Sequence, residues 1–108
     1  MIDILSSFIR IFIFHPDPWP KSRHRKRRLI NASFLEIMQR KLKPNGKLYL
    51  STDVLELWQD MLETITTSLK FEIDQDEEFW TTLYQTRWHE ISQQHQRTLS
   101  FATFKVKK

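Results

Sequence analysis

The sequence contains no cysteine and a single glycine among its 108 residues. The absence of cysteine excludes a disulfide framework and a thiolate metal site, and it leaves the redox compartment undetermined. A single glycine, Gly46, also excludes the glycine-rich loops that cradle phosphates or let a nucleoside approach the backbone. A nucleotide-like cofactor would therefore need a binding loop that lies outside this chain.

The sequence also has no hydrophobic run long enough to cross a membrane. Its apolar opening, residues 1–14, contains Asp3 and Arg10 and does not have the layout of a cleaved signal peptide. The four histidines show no metal-ligand spacing with carboxylates, and no nucleophile elbow or Ser–His–Asp arrangement is visible. We therefore expect a cytoplasmic protein with no membrane partner and no metal.

The composition that remains is that of one small folded domain with a modest core. Hydrophobic residues make up 40% of the chain and aromatic residues 13%, which argues against disorder. The net charge is +4, which is compatible with a polyanionic partner but does not require one.

The hydrophobic pattern predicts an α/β fold with right-handed crossovers. The run Phe8 to Phe14 is apolar on both faces except at Arg10, which is typical of a central strand in a parallel sheet. Apolar residues at helical spacing then predict two helices. The expected order is a strand at 8–14, a loop at 15–30 (the motif loop), a helix at 32–42, a strand at 47–51, a helix at 54–69, a strand at 71–73, an irregular segment at 80–97 and a strand at 99–106.

The start of the motif loop is the most informative part of the chain. Pro16 and Pro18 stiffen the backbone on either side of Asp17, which aims its carboxylate, and Trp19 follows directly. Ligands of open α/β sheets bind beyond the carboxyl ends of strands, so Asp17 and Asp53 are expected at one rim. The pattern indicates a site for a planar group carried by a polyanion, such as a nucleotide base. A turn carboxylate at Asp17 and a helix N-cap at Asp53 remain the structural alternatives.

Six lysines and arginines lie within residues 21–28. Many charge runs are only solvated surface, but this one adjoins an aimed carboxylate and a tryptophan, which favours contacts with phosphates. Elsewhere, Trp58 is expected in the core, and Trp88 is a candidate for stacking on a base. The candidate phosphate contacts are Arg23, Lys26, Arg27 and Arg28.

The motif loop resembles the signature of the bacterial tRNA (guanine-N7-)-methyltransferases. The strip that carries this likeness is His15-Pro16-Asp17-Pro18-Trp19-Pro20-Lys21-x-Arg23-His24-x-Lys26-Arg27-Arg28. The likeness continues through Phe34-Leu35, Leu42-Lys43-Pro44-x-Gly46 and Ser51-Thr52-Asp53, and more weakly through Thr86-Arg87-Trp88. The pattern is long and unusual, so the resemblance is specific.

The resemblance implies the C-terminal half of a class I, Rossmann-like methyltransferase that uses S-adenosyl-L-methionine. It implies transfer of the methyl group to N7 of guanine-46 in tRNA. By this resemblance Asp17 is the catalytic aspartate and lies close to the methyl donor, while Lys21 and Asp53 contact the substrate. The substrate segment of the family falls on Thr86, Arg87, Trp88, His89 and Glu90.

Three features depart from the family pattern. His15 stands before Pro16 where the family usually has Phe. His89 stands where the family has Glu, with Glu90 one position late, and residues 91–95 replace a glycine-containing stretch.

The resemblance also implies that the first three strands of the sheet and the glycine-rich donor loop are not in this chain. We therefore expect the chain to be inactive alone. We expect its partner to be the missing N-terminal half, or a second copy pairing through the exposed strand 8–14. Two alternatives remain open: a non-catalytic tRNA- or RNA-binding module, and a truncated fragment without independent function. Binding of tRNA without affinity for the donor would mark the module.

Overall fold

The computed structural model describes residues 8–19, 22–84 and 99–108. A 3-10 helix, Ser22–Arg27, precedes the first α-helix, and a π-helical turn, Phe79–Tyr84, follows the third strand. These residues form a four-stranded sheet with two α-helices, which confirms the mixed α/β class. The order is β1 (Phe8–Phe14), α1 (Ala32–Lys41), β2 (Leu42–Thr52), α2 (Leu55–Ser68), β3 (Phe71–Asp74) and β4 (Ser100–Val106).

The strands are ordered β1-β2-β4-β3 across the sheet. β1 runs parallel to β2, whereas β4 runs antiparallel to both β2 and β3. Among the described strands β1 pairs with β2 alone, so β1 forms an edge, and Ile9 and Phe12 are 64% and 46% exposed. The expectation of a central strand at 8–14 is therefore not met within this part of the chain, because no described strand lies on its outer side.

The boundary between α1 and β2 also differs from the expected one. Leu42 caps α1 with an extended backbone, so the chain passes directly into β2 instead of forming a turn first. The register between β1 and β2 shifts after the Phe8–Leu42 pair, and Asn45 there has a φ of 67°. β2 is consequently longer than the strand expected at 47–51, although its first residues are irregular.

Both helices pack on one face of the sheet. Asn31 is the N-cap residue of α1, and its side-chain oxygen accepts a hydrogen bond from the Phe34 backbone N–H at 2.9 Å. One apolar stripe of each helix then faces the strands. Trp58 packs against this core, as its place in the stripe of α2 predicts. The buried core includes Ile13, Leu35, Met38, Leu48, Leu50, Leu57, Met61, Ile65, Phe71, Phe104 and Val106.

The opposite face of the sheet carries a cluster of aromatic side chains. Tyr49 alternates in β2 with residues that face the helices, so it points to the other side, where it is fully buried. Its ring centroid lies 4.8 Å from those of Phe12 and Phe79. Trp80 is also buried there and donates its indole N–H to Oγ1 of Thr103 at 2.9 Å. The aromatic cluster comprises Phe12, Phe14, Tyr49, Phe79, Trp80 and Phe101.

Candidate nucleic-acid interface

The segments that follow β1 and β2 lie side by side, because these two strands are parallel. The backbone N–H of His15 donates to the carbonyl of Ser51 at 2.8 Å, which continues the pairing past the end of β1. His15 Nδ1 lies 3.7 Å from Oδ1 of Asp53. The N-cap position of α2 is Val54, whose side chain makes no capping hydrogen bond. Asp53 therefore lies one residue before the N-cap position.

The turn after β1 contains two residues with left-handed backbone geometry. His15 has a φ of 51° and Trp19 a φ of 42°, a region that is strained for residues with side chains. The Trp19 ring lies edge-on to His24, with centroids 5.6 Å apart. The guanidinium carbon of Arg27 lies 5.1 Å from the Trp19 ring centroid, within cation–π range. These contacts hold the 3-10 helix against the turn.

Arg28 is buried and bonded within the protein. Its side chain is 2% exposed, and its Nε donates to the backbone carbonyl of Pro18 at 2.7 Å. Its Nη2 lies 3.3 Å from Oε1 of Glu56, and its Nη1 lies 3.0 Å from Oδ2 of Asp60. A guanidinium enclosed in this way is not accessible to phosphate, which corrects the sequence-based expectation for Arg28.

Asp17 and the candidate cations of the 3-10 helix are accessible to solvent, whereas the side chain of Asp53 is only 12% exposed. These exposed cations are Arg23, Lys26 and Arg27. Within the described ranges no group of His, Asp and Glu side chains is arranged to hold a metal ion. The remaining expected substrate residues lie outside the described part of the chain: Lys21, Thr86, Arg87, Trp88, His89 and Glu90.

Sequence reasoning missed a polar pair beneath the sheet. The hydroxyl of Tyr49 donates a hydrogen bond to Oδ2 of Asp76. Burial, assisted by the neighbouring Asp76 carboxylate, raises the pKa of Tyr49 to about 12. The same hydrogen bond lowers the pKa of Asp76 from its usual value, and the Phe79 backbone N–H adds to this effect. The sequence signal that could have indicated this pair is a tyrosine within an apolar strand, since a buried phenol needs a hydrogen-bond partner.

The described residues do not include a glycine-rich loop of the kind that cradles a nucleotide-like cofactor. Gly46 is the chain's one glycine, and it is required by packing within β2. A Cβ atom there would lie 2.8 Å from the Lys43 carbonyl oxygen and 2.9 Å from Cδ2 of Leu42. Gly46 lies in the first half of β2, whereas the rim lies at the carboxyl end of that strand.

The chain is a methyltransferase-family protein. Residues 5–105 match the family model described as "Putative methyltransferase", and because this match covers nearly the whole sequence, the chain belongs to that family.

The chain is similar to bacterial proteins named tRNA (guanine-N(7)-)-methyltransferase, in agreement with the resemblance carried by the motif loop. The relative from Nitrosococcus oceani is 54% identical over 57 residues, which cover 53% of this chain and 22% of the relative. The relative from Halorhodospira halophila is 47% identical over 60 residues, or 56% of this chain and 26% of the relative. The relative from Wolbachia pipientis wMel is 37% identical over 103 residues, or 94% of this chain and 44% of the relative.

The chain spans less than half the length of these curated relatives. In the part that the structure describes, none of the helices combines the length and the apolar character needed to cross a membrane.

Proposed function

We propose that this chain forms the substrate-binding part of a tRNA (guanine-N7-)-methyltransferase that uses S-adenosyl-L-methionine. The observation that carries the proposal is the rim beyond the parallel strands β1 and β2, where the turn that contains Asp17 and Trp19 approaches Asp53 through His15 and Arg27 packs on Trp19. The names of the relatives support the same reaction. A tRNA substrate is consistent with action in the cytoplasm.

The proposed chemistry suits the residues at this rim. Guanine N7 carries a free lone pair, so methyl transfer needs no strong base and depends on holding the base in line with the donor. The carboxylates of Asp17 and Asp53 can accept hydrogen bonds from the guanine N1–H and amino group. They can also stabilise the positive charge that develops on the ring. Asp17 is the proposed catalytic residue, and it is the one proposed to lie next to the donor.

Further substrate contacts are proposed from the family resemblance. Lys21 and the substrate segment 86–90 are the further residues proposed to contact the tRNA. Because N7 lies in a groove of stacked RNA, the base has to leave its stack, and Trp88 is the aromatic residue proposed to hold it.

The exposed cations of the 3-10 helix are the proposed phosphate contacts. Arg23, Lys26 and Arg27 share a short helix next to the turn that carries Asp17. Cations in this position would fix the register of the RNA backbone while the rim contacts the base. Arg28 is left out of this set, because its side chain is 2% exposed.

The test is binding of a bacterial tRNA transcript by the chain, followed by fluorescence anisotropy. The double variant K26E/R27E is expected to bind about tenfold more weakly or worse, because it removes two phosphate contacts. The matched control is R40E/K43E, which makes the same charge change at two exposed residues outside the motif loop. Equal losses in both variants would show that only net charge matters and would overturn the proposed interface.

We also propose that these 108 residues alone do not methylate tRNA, because the reaction needs further strands and a donor-binding loop. Those strands, or a second copy of the chain, would pair with the outer edge of β1. Incubation with tRNA and labelled donor tests this directly, since methyl transfer by the isolated chain would refute it.

The second candidate is an RNA-binding module without catalysis. The observation that favours it is the single glycine of the chain, which leaves no glycine-rich donor loop in this sequence. Calorimetric titration of S-adenosylmethionine into the chain after the missing strands and donor-binding loop are supplied separates the two functions. Donor binding in the presence of tRNA then supports the methyltransferase, whereas tRNA binding with no donor affinity even then supports the module.

A further inference from the structure

Arg28 occupies a place in the motif loop that the proposed function does not use. Arg23, Lys26 and Arg27 in the same basic run are exposed, whereas the guanidinium of Arg28 is buried. A buried arginine is costly unless each face of its fork meets an acceptor. Here the acceptors come from two separate parts of the chain: the turn after β1 and the helix α2.

The geometry joins the turn to the helix through one side chain. Nε donates to the Pro18 carbonyl at 2.7 Å, and the two terminal nitrogens face Glu56 and Asp60 at 3.3 Å and 3.0 Å. Glu56 and Asp60 are four residues apart, so they lie on the same face of α2. Nε and Nη2 make hydrogen bonds to Pro18 and Glu56, whereas Nη1 pairs with Asp60 by charge and makes no hydrogen bond among the described residues.

We infer that Arg28 is a positioning residue that fixes the Asp17–Pro18–Trp19 turn against α2 for tRNA binding. Pro18 has no backbone N–H, so its carbonyl is the one backbone group through which the turn can be held at that residue. Trp19 follows it in left-handed geometry, which persists only where surrounding contacts maintain it. The inference rests on the proposed function, since it assigns Arg28 to the proposed tRNA interface.

The decisive variant is D60N, because electrostatics predicts tighter tRNA binding by this variant whereas the positioning role of Arg28 predicts weaker binding. Removal of a negative charge near a polyanion-binding surface should strengthen tRNA binding if only the field of the protein matters. Loss of the Arg28 partner should weaken binding if the turn must be held. The matched control is E63Q, an exposed carboxylate three residues further along α2.

The experiment measures the tRNA dissociation constant of wild type, R28M, D60N and E63Q, each corrected for the folded fraction from circular dichroism. R28M and D60N are expected to bind about threefold to tenfold more weakly, and E63Q to bind as well as wild type or better. The double variant R28M/D60N is expected to lose no more than R28M alone, because R28M already removes the contact with Asp60 that D60N weakens. If the variants bound tRNA more weakly only because they were less stable, their losses of affinity would rank in the order of their melting temperatures.

Hydrogen exchange of a peptide spanning the turn gives a readout that is independent of tRNA. Faster exchange at Asp17 and Trp19 in R28M, with unchanged exchange in β2, supports the inference. Tighter tRNA binding by D60N, or unchanged exchange of the turn in R28M, would overturn it. If the wild-type chain does not bind tRNA, the proposed function fails. Whether Arg28 fixes the turn is then tested by hydrogen exchange alone.

Discussion

The phenolic hydroxyl of Tyr49, in the middle of the sheet, donates a hydrogen bond to the carboxylate of Asp76, which follows β3. Asp76 also accepts from the backbone N–H of Phe79 at 3.3 Å, at the start of the π-helical turn. The pair therefore ties the aromatic face of the sheet to the segment that leads towards the C-terminal strand. Its energetic value is open to direct measurement.

Replacement of Tyr49 by phenylalanine should destabilise the fold. Y49F keeps the ring contacts with Phe12 and Phe79 but leaves Asp76 without its phenolic donor. A hydrogen bond to a charged group contributes about 1.5–3 kcal/mol, so the free energy of unfolding in urea should fall by about that amount. D76N provides the complementary change. A double variant as unstable as the sum of the two single changes would contradict the pairing.

The same pair should contribute to acid sensitivity. The hydrogen bond from Tyr49 lowers the pKa of Asp76 in the folded state from the usual 3.8. Because the folded pKa is depressed, this stabilisation is complete above the usual value and is lost as the pH falls through the folded pKa. Urea unfolding of wild type below about pH 4 should therefore lose stability more steeply than that of Y49F. Parallel curves for the two proteins would count against this assignment.

Replacement of Gly46 by alanine should be costly. The added Cβ would lie 2.8 Å from the Lys43 carbonyl oxygen, a backbone atom that cannot turn away. We expect a loss of about 1–3 kcal/mol in the free energy of unfolding, since overpacking forces the backbone to shift. N45G is the neighbouring control, because Asn45 has a φ of 67°, which glycine adopts readily. An alanine variant as stable as wild type would show that β2 relaxes at this point.

The salt dependence of tRNA binding reports how many phosphates the motif loop contacts. Three exposed cations, Arg23, Lys26 and Arg27, predict a slope of about −2 to −3 in a plot of log affinity against log salt. R27Q should reduce the magnitude of that slope by about one and weaken binding to different tRNAs alike. A slope near zero would mean that phosphates do not contribute.

Local patterns predicted much of the fold. The apolar run marked β1, and the two helical stripes marked α1 and α2 to within a residue or two at each end, because hydrophobic periodicity is a property of neighbouring residues. The entry into β2 was missed, since Lys43-Pro44-Asn45-Gly46 is typical of a turn, whereas here it becomes the irregular start of a strand.

Contacts between side chains far apart in the sequence could not be predicted from such local patterns. The lysines and arginines of residues 21–28 look alike in sequence, and what separates Arg28 from Arg23, Lys26 and Arg27 is a pair of acids 28 and 32 positions away along the chain. Tyr49 and Asp76 are likewise 27 residues apart. Neither pairing leaves a local signal, so the sequence predicted the rim of the candidate site but not the contacts that hold it.

The bonding of Arg28 has a consequence for protein engineering. The motif loop depends on Glu56 and Asp60 of α2 for the contacts of Arg28, so the loop should not be transferred to another protein without that part of α2. A graft of residues 15–28 onto a scaffold without acids matching Glu56 and Asp60 would bury an uncompensated guanidinium, a change that costs about 3–5 kcal/mol when one partner of a buried pair is missing. Transplants of the loop should therefore carry the first two turns of α2 with them.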